Sequence, residues 1–330
     1  MALESVEKCL SVKARKPGTK EWKFHSNSYD LLGRFLKIHF GSFKTWTTGE
    51  YILRSQAIQA EVMRYIYDEL RSRKFECSGV LLWTYTDAFT KHGWSLVDYY
   101  LRKKPVYYYL RRACAPLAIS WQGYRPQRLN HLETYKSYYA NGAEPIEAIV
   151  SNDTLDEKEV ELKYRVMSMA GKVLKRGSAR ETVPANGTCR ALSIDIHKAI
   201  GRTSPENVVV AAELFEQGMM RAESRYFLTP FKTLKLTSAV VSCRIRMVNK
   251  GACELTLSSK NFVWMFHIAE IDGLTLSDND FDLIPGRPRV VTAKVPCASA
   301  FIPQCSCLNP RLRVKTSRAP AKRRRAKPAA

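Results

Sequence analysis

The seven residues Gly79-Val-Leu-Leu-Trp-Thr-Tyr85 form a short apolar run without alternation, bounded by Gly79 and Asp87. A strand buried on both faces reads in this way. Its surroundings read as helix. Leu3, Val6 and Leu10 fall three and four apart, and Tyr29 to Phe40 repeats apolar residues at helical spacing ahead of Gly41. From Tyr51 to Arg73, Ile52, Gln59 or Ala60, Met63, Ile66 and Leu70 share one face, while Arg54, Glu61, Arg64, Asp68 and Arg71 lie elsewhere. This half offers the run no second strand, and each backbone group buried without a partner costs about 1–3 kcal/mol. The expected strand therefore calls for a sheet completed by residues other than these 330.

Beyond residue 117 the texture changes to short segments that often alternate. Pro145 to Val150, Val160 to Met167, Val173 to Val183, Ala191 to Ile196, Val208 to Phe215, Ala239 to Met247, Cys253 to Ser258, Phe262 to Ile268 and Val290 to Ala293 read as strands. Turn residues such as Ala170-Gly171, Asn186-Gly187 and Asn249-Lys-Gly251 separate them. Such spacing predicts antiparallel β-sandwiches, and the length accommodates two. Residues 121–142 join the two textures without clear periodicity, as a linker or an insertion.

The formal charge of +22 raises the question of nucleic acid. Nine of those charges lie in residues 311–330, which contain no acid, so +13 is spread over the first 310 residues. The tail is rich in Pro, Ala and Arg and is expected to be disordered. Nine cysteines without an export signal at the start predict reduced thiols and a cytoplasmic setting. Cys305-Ser-Cys307 lacks the paired CxxC or nearby histidine of a zinc site, so no metal or cofactor is expected. No apolar run approaches the roughly 18–20 residues of a membrane helix.

Longer motifs carry a resemblance. Cys77-Ser-Gly-Val-Leu-Leu-Trp-Thr-Tyr-Thr-Asp87, then Gly93-Trp-Ser-Leu-Val-Asp98, Lys104-Pro-Val-Tyr-Tyr-Tyr109 and Arg111-Arg-Ala-Cys-Ala-Pro116, resemble the last barrel strand and exit helix of β-mannosidase-type family 2 glycoside hydrolases. Ser55-Gln-Ala-Ile-Gln-Ala-Glu61 resembles the helix before that strand. Val150-Ser-Asn-Asp153, Val183-Pro-Ala-Asn186 and Leu276-Ser-Asp-Asn-Asp-Phe-Asp-Leu-Ile-Pro-Gly286 resemble landmarks of the family's C-terminal sandwiches. The implied fold is multidomain: a C-terminal remnant of a (β/α)8 TIM barrel over residues 1–116, immunoglobulin-like β-sandwiches over 117–220 and 221–309, and a disordered basic tail over 310–330.

The reaction implied by the resemblance is retaining hydrolysis of terminal β-mannosides. It needs two carboxyl groups about 5–5.5 Å apart. In the family these follow barrel strands four and seven, and Leu3-Glu-Ser-Val-Glu-Lys8 resembles the helix just after strand seven, so no catalytic residue maps onto this chain. Glu4, Glu7 and Glu21 have no preceding buried strand to aim them as substitutes. The candidate substrate-binding residues are Trp83, Asp87 and Tyr85. Trp83 stands where barrel enzymes place ligand-contacting groups, and the resemblance implies an indole packed against the sugar. Asp87 reads equally as an acceptor for sugar hydroxyls or as an Asx turn.

An isolated chain of this kind is expected to be inactive, with a β-mannoside or related oligosaccharide as the family's substrate and a second chain supplying strands one to seven as a candidate partner. The alternatives are a non-catalytic carbohydrate-binding or assembly module and, less favoured, a nucleic-acid binder acting through the tail. Tyr99, Tyr100 and Tyr107 to Tyr109 among Arg102, Lys103, Lys104, Arg111 and Arg112 fit an exit helix with solvated cations better than a stacking surface for bases.

Overall fold

The structure, a computed structural model, describes residues 1–26, 29–123 and 145–318. Most of the joining segment 121–142 falls outside them. The described chain divides into two compact units that meet at Leu236 and Thr237.

The first unit begins with helices. Periodicity over Tyr51 to Arg73 becomes α4 (Thr48–Ser72), which opens with a reciprocal cap. The Thr47 hydroxyl accepts the Glu50 N–H at 3.2 Å and the Glu50 carboxylate accepts the Thr47 N–H at 2.9 Å. Onto its first half pack α1 (Leu3–Cys9), α2 (Lys20–Phe24) and α3 (Tyr29–Phe40). Val6, Leu10, Trp22, Leu36, Tyr51 and Ile52 form the shared core, with the large apolar side chains contributing roughly 1.5–3 kcal/mol each. The exit helix α5 (Pro105–Ala113) carries Pro105 in its first turn, where the absent N–H leaves no bond unmade, and buries Tyr108 and Tyr109.

The expected barrel strand finds no sheet here. Residues 79–85 pair with no strand among the described residues, and Leu81, Trp83 and Tyr85 are exposed.

The same unit continues into a sandwich. One sheet comprises β1 (Leu117–Gln122), β2 (Ile146–Asn152) and β5 (Gly187–Ile194) in the order β1-β2-β5. The facing sheet comprises β3 (Lys158–Ser168), β4 (Val173–Val183), β6 (Val208–Glu216) and β7 (Met219–Phe227) in the order β4-β3-β6-β7. A short α6 (Ile196–Ile200) follows β5. Ile119, Trp121, Val150, Leu162, Val166, Val210 and Leu214 fill the space between the sheets. The boundary expected at 220/221 is corrected: β7 pairs with β6 from Val209↔Phe227 to Glu216↔Met219, which keeps it in the first sandwich.

The second unit is another sandwich. Its larger sheet holds β8 (Ala239–Asn249), β9 (Ala252–Ser259), β11 (Thr275–Leu276), β13 (Arg289–Lys294) and β15 (Leu312–Arg318), ordered β11-β13-β9-β8-β15. The smaller sheet orders β12 (Phe281–Leu283), β10 (Val263–Ile268) and β14 (Cys305–Ser306) as β12-β10-β14. Cys243, Leu255, Leu257, Phe266, Phe281 and Val291 form the core.

The tail is a further correction. Residues 312–318 form β15, parallel to β8 from Leu312↔Ala239 to Arg318↔Ile245. Leu312 and Val314 pack against the core, while the alternate positions Arg313 and Lys315 are exposed. Residues 319–330 lie outside the described residues. No helix among the described residues is long and apolar enough to cross a membrane.

Candidate functional site

The site is built from the unpaired segment 79–85 and the loop that returns from it to α5. Trp83 is 85% exposed and Tyr85 60%, whereas Asp87 is only 3% exposed. The three expected site residues are thus close in sequence but not alike in setting: two aromatic side chains face solvent and the carboxylate is inside.

Backbone bonds fold the loop onto the segment. Leu96 and Val97 donate to the Tyr85 carbonyl at 3.0 and 2.9 Å, and the Asp87 N–H donates to the Val97 carbonyl at 3.1 Å. Asp87 Oδ2 accepts the Ser95 hydroxyl at 2.6 Å, and Lys91 Nζ lies 3.7 Å from Oδ1. Gly93 passes so close that a Cβ there would stand 2.7 Å from Asp87 Oδ1. The neighbouring Asp98 carboxylate is equally engaged, accepting N–H groups of Tyr100 and Arg102 on Oδ1 at 3.0 and 3.1 Å and that of Ala2 on Oδ2 at 3.1 Å. Both aspartates therefore hold the loop's shape. The Tyr85 ring meets Tyr107 of α5 edge-on at 6.5 Å, which ties the aromatic side chain to the exit helix.

Sequence reasoning missed the inner supports of this loop. Lys104, read as one of the solvated cations, is 1% exposed and donates from Nζ to the Gly93 carbonyl at 3.0 Å. Burial pushes its ammonium down to about 8, against the opposing pull of Asp87 and Asp98. Gln59 on α4 donates to the carbonyls of Trp94 and Ser95 at 2.6 and 3.2 Å. Only the position of Lys104 directly before Pro105, at the cap of a buried helix, hinted at an inward side chain. Gln59 and Ser95 stood in the quoted motifs, but nothing in their sequence pattern pointed to a bracing role.

His92 packs against Trp22 with ring centroids 4.1 Å apart and lines a pocket of about 60 Å³ together with Tyr51, Gln56, Gln59 and Lys104. Burial pushes its imidazole down to about 2, so it is neutral there. Of the glutamates weighed as substitutes, Glu7 and Glu21 are exposed, and Glu7 pairs with Arg15 at 3.5 Å. No group of three or more His, Cys, Asp or Glu side chains among the described residues is arranged to hold a metal ion. Asn152, in a potential glycosylation sequon, is fully buried and spends its amide on the carbonyls of Asp156 and Pro184.

This arrangement offers an aromatic surface on a braced loop. Indole and phenol faces suit the C–H face of a pyranose, and the carboxylates beneath engage the protein's own donors, Asp98 through both oxygens and Asp87 through Oδ2.

Comparison with known proteins places the domains in a family. Residues 144–233 match the Mannosidase Ig/CBM-like domain family, and residues 236–305 match an Ig-fold domain family of mannosidases. Beta-mannosidase B of Emericella nidulans is 30% identical over 252 residues, covering 74% of this chain and 29% of that protein. Beta-mannosidase B of Aspergillus terreus is 26% identical over 288 residues, covering 85% of this chain and 33% of its own length. The chain thus spans a third or less of these relatives. Among solved structures, a β-D-mannosidase from Dictyoglomus thermophilum superposes with a TM-score of 0.80 at 22% identity, over 96% of this chain and 36% of that one. An exo-chitosanase from Amycolatopsis orientalis does so with a TM-score of 0.70 at 16% identity, over 94% of this chain and 40% of that one. At these identities the two structures share the fold.

Proposed function

We propose that this chain, which belongs to the β-mannosidase-like family 2 glycoside hydrolases and carries their C-terminal portion, supplies one wall of a sugar site whose catalytic carboxylates come from residues not among these 330. In this reading residues 79–85 are the last strand of a (β/α)8 barrel, awaiting the strands beside it. Those strands come either from the same polypeptide in a longer form or from a second chain. Trp83 stacks on the sugar bound at the scissile bond, Tyr85 extends that wall, and Asp87 sets the loop rather than touching the substrate. The reaction served is retaining hydrolysis of a terminal β-mannoside.

The observation that carries this reading is the exposure of Leu81, Trp83 and Tyr85 on a segment with no sheet partner among the described residues. A folded protein does not ordinarily leave alternate large apolar side chains exposed in this way without a surface to complete them. The helices α4 and α5 flank the segment in chain order as the layer outside a barrel would.

The test is hydrolysis of an aryl β-mannoside by the 330-residue chain alone and after mixing with a polypeptide carrying the preceding barrel strands of a family member. The expected result is no turnover alone and turnover in the mixture. Robust turnover by the isolated chain would overturn the division of labour, and an inert mixture in which the two polypeptides bind would overturn the assignment of the wall. A second reading, a carbohydrate-binding module without catalysis, draws on the Ig/CBM-like match and the self-contained core of the first sandwich. It predicts retention of the chain on a mannan column that survives Trp83→Ala.

A further inference from the structure

The C-terminal strand β15 lies beyond residue 305, where the match to the Ig-fold family ends, and it changes the surface of the second sandwich. Its parallel register sets Arg313 beside Val240, Lys315 beside Ser242 and Ser317 beside Arg244. Inward positions of β8 are buried, so these paired residues share the outward face. Continuing across the sheet, Ser242 pairs with Ser258, Arg244 with Thr256 and Arg246 with Glu254, and Thr256 pairs in turn with Val290. Lys294 closes the same face on β13.

The outer face thus carries Arg244, Arg246, Lys294, Arg313 and Lys315 against Glu254. Glu254 is committed to Arg246. Among the described residues no carboxylate lies within ion-pairing distance of Arg244, Arg313 or Lys315. Hydroxyls neighbour these three: Ser242 beside Lys315 and Ser317 beside Arg244, with Thr256 and Ser258 following on the β9 side. A strand repeat of about 3.3 Å and a strand spacing of about 4.8 Å place Arg313 and Lys315 about 7 Å apart and Arg244 about 8 Å from Lys315. Three unpaired cations at this spacing, interleaved with hydroxyl donors, form a surface for a chain of phosphates.

What the face lacks narrows the partner. None of its residues named above is aromatic, so it offers no platform on which unpaired bases would stack. Its exposed apolar groups are Val240, Val248 and Val290, without the Trp, Phe or Leu that anchor a protein in a lipid interface. We propose that this sheet face binds the phosphodiester backbone of double-stranded nucleic acid without regard to sequence, through Arg244, Arg313 and Lys315. The sugar site of the first unit takes no part in it.

The experiment is fluorescence anisotropy of a short labelled duplex, DNA and RNA in separate arms, titrated with the full chain between about 50 and about 200 mM salt. Binding is expected in both arms, with log affinity falling linearly against log salt. Arg244→Gln combined with Lys315→Gln should reduce the slope by about two, one per lost phosphate contact, and leave the thermal unfolding midpoint unchanged. Deleting residues 319–330 serves as the control for the remaining tail cations. The deletion should weaken binding yet preserve the difference made by the two glutamines. Equal affinity and slope for the parent and the Gln pair would overturn the proposal, as would loss of all binding on deletion alone. Failure to bind either duplex, with adsorption to phosphatidylserine vesicles instead, would overturn it in favour of a membrane surface.

Discussion

Arg225 on β7 and Glu61 on α4 form an ion pair whose side chains are only 6% and 3% exposed, joining the helical layer to the first sandwich from the inside. Arg64 donates to the same glutamate at 3.1 Å and reaches Asp68 at 2.9 Å, so four charges offset one another, with Arg225 and Glu61 almost sealed from water. Removing one member leaves its partner charged and buried, at a cost of about 3–5 kcal/mol. Arg225→Met alone should therefore lower stability by that order in urea unfolding. Adding Glu61→Leu should restore part of the loss, because the orphaned charge is gone. Additive losses would contradict the pairing.

Asp68 in this cluster gives a pH signature. Burial raises its carboxyl to about 6 from 3.8, outweighing the pull of Arg64, with Glu61 adding to the rise and Arg71 and Arg225 opposing it. A carboxyl whose folded value lies above its unfolded one holds its proton more tightly in the native state. Its contribution to stability is full below pH 3.8 and is lost as pH rises through about 6. Asp68→Asn should flatten the stability profile between those values. A profile as steep as that of the parent chain would place the titration elsewhere.

Trp83 and Asp87 should respond in opposite ways to truncation. Trp83→Ala removes an exposed side chain and should shift stability by no more than about 0.5 kcal/mol. Asp87→Ala strips the Ser95 hydroxyl of its acceptor and Lys91 of its counter-charge, at about 1–3 kcal/mol. Thermal unfolding of the two variants separates the residue that meets a ligand from the residue that shapes the loop. A large loss for Trp83→Ala would mean that the indole packs inside.

The C-terminal strand provides a fourth stability test. A chain ending at Pro310 leaves the β8 edge without the strand that pairs with it from Ala239 to Ile245 and exposes the core beneath Leu312 and Val314. The second unit should then unfold earlier, by on the order of 3 kcal/mol. A chain ending at Arg318 should behave as the parent does. Equal stability of both truncations would return β15 to a loose tail.

The parts of this protein legible from sequence are those whose packing partners are close at hand. α4 announced itself because its apolar residues face α1, α3 and α5, all present in the chain, and β3 and β8 because alternation matched a sandwich that folds within itself, with β6 read from its apolar run. Residues 79–85 carry the composition of a buried strand, but composition records the environment a segment was shaped for, and the structure shows the segment without it. β15 was hidden for the opposite reason. Arg313, Lys315 and Arg318 dominate its composition, while only Leu312 and Val314 face inward, too few to outweigh the Arg- and Pro-rich residues that follow. Met219 to Phe227 read as a boundary because its first residues face solvent. In the site, Trp83 was legible as an aromatic side chain at a strand end, but the commitment of Asp87 to Ser95 depends on a turn eight residues long that no local pattern specifies.

The account rests on Trp83 as the sugar-facing wall, and the most direct measurement is kcat/KM for an aryl β-mannoside in the reconstituted enzyme, with and without Trp83→Ala. Truncating an indole that packs against the substrate should cost about 2 kcal/mol or more, a fall of about thirtyfold or greater. Unchanged kcat/KM for Trp83→Ala in an active, stably assembled enzyme would contradict it.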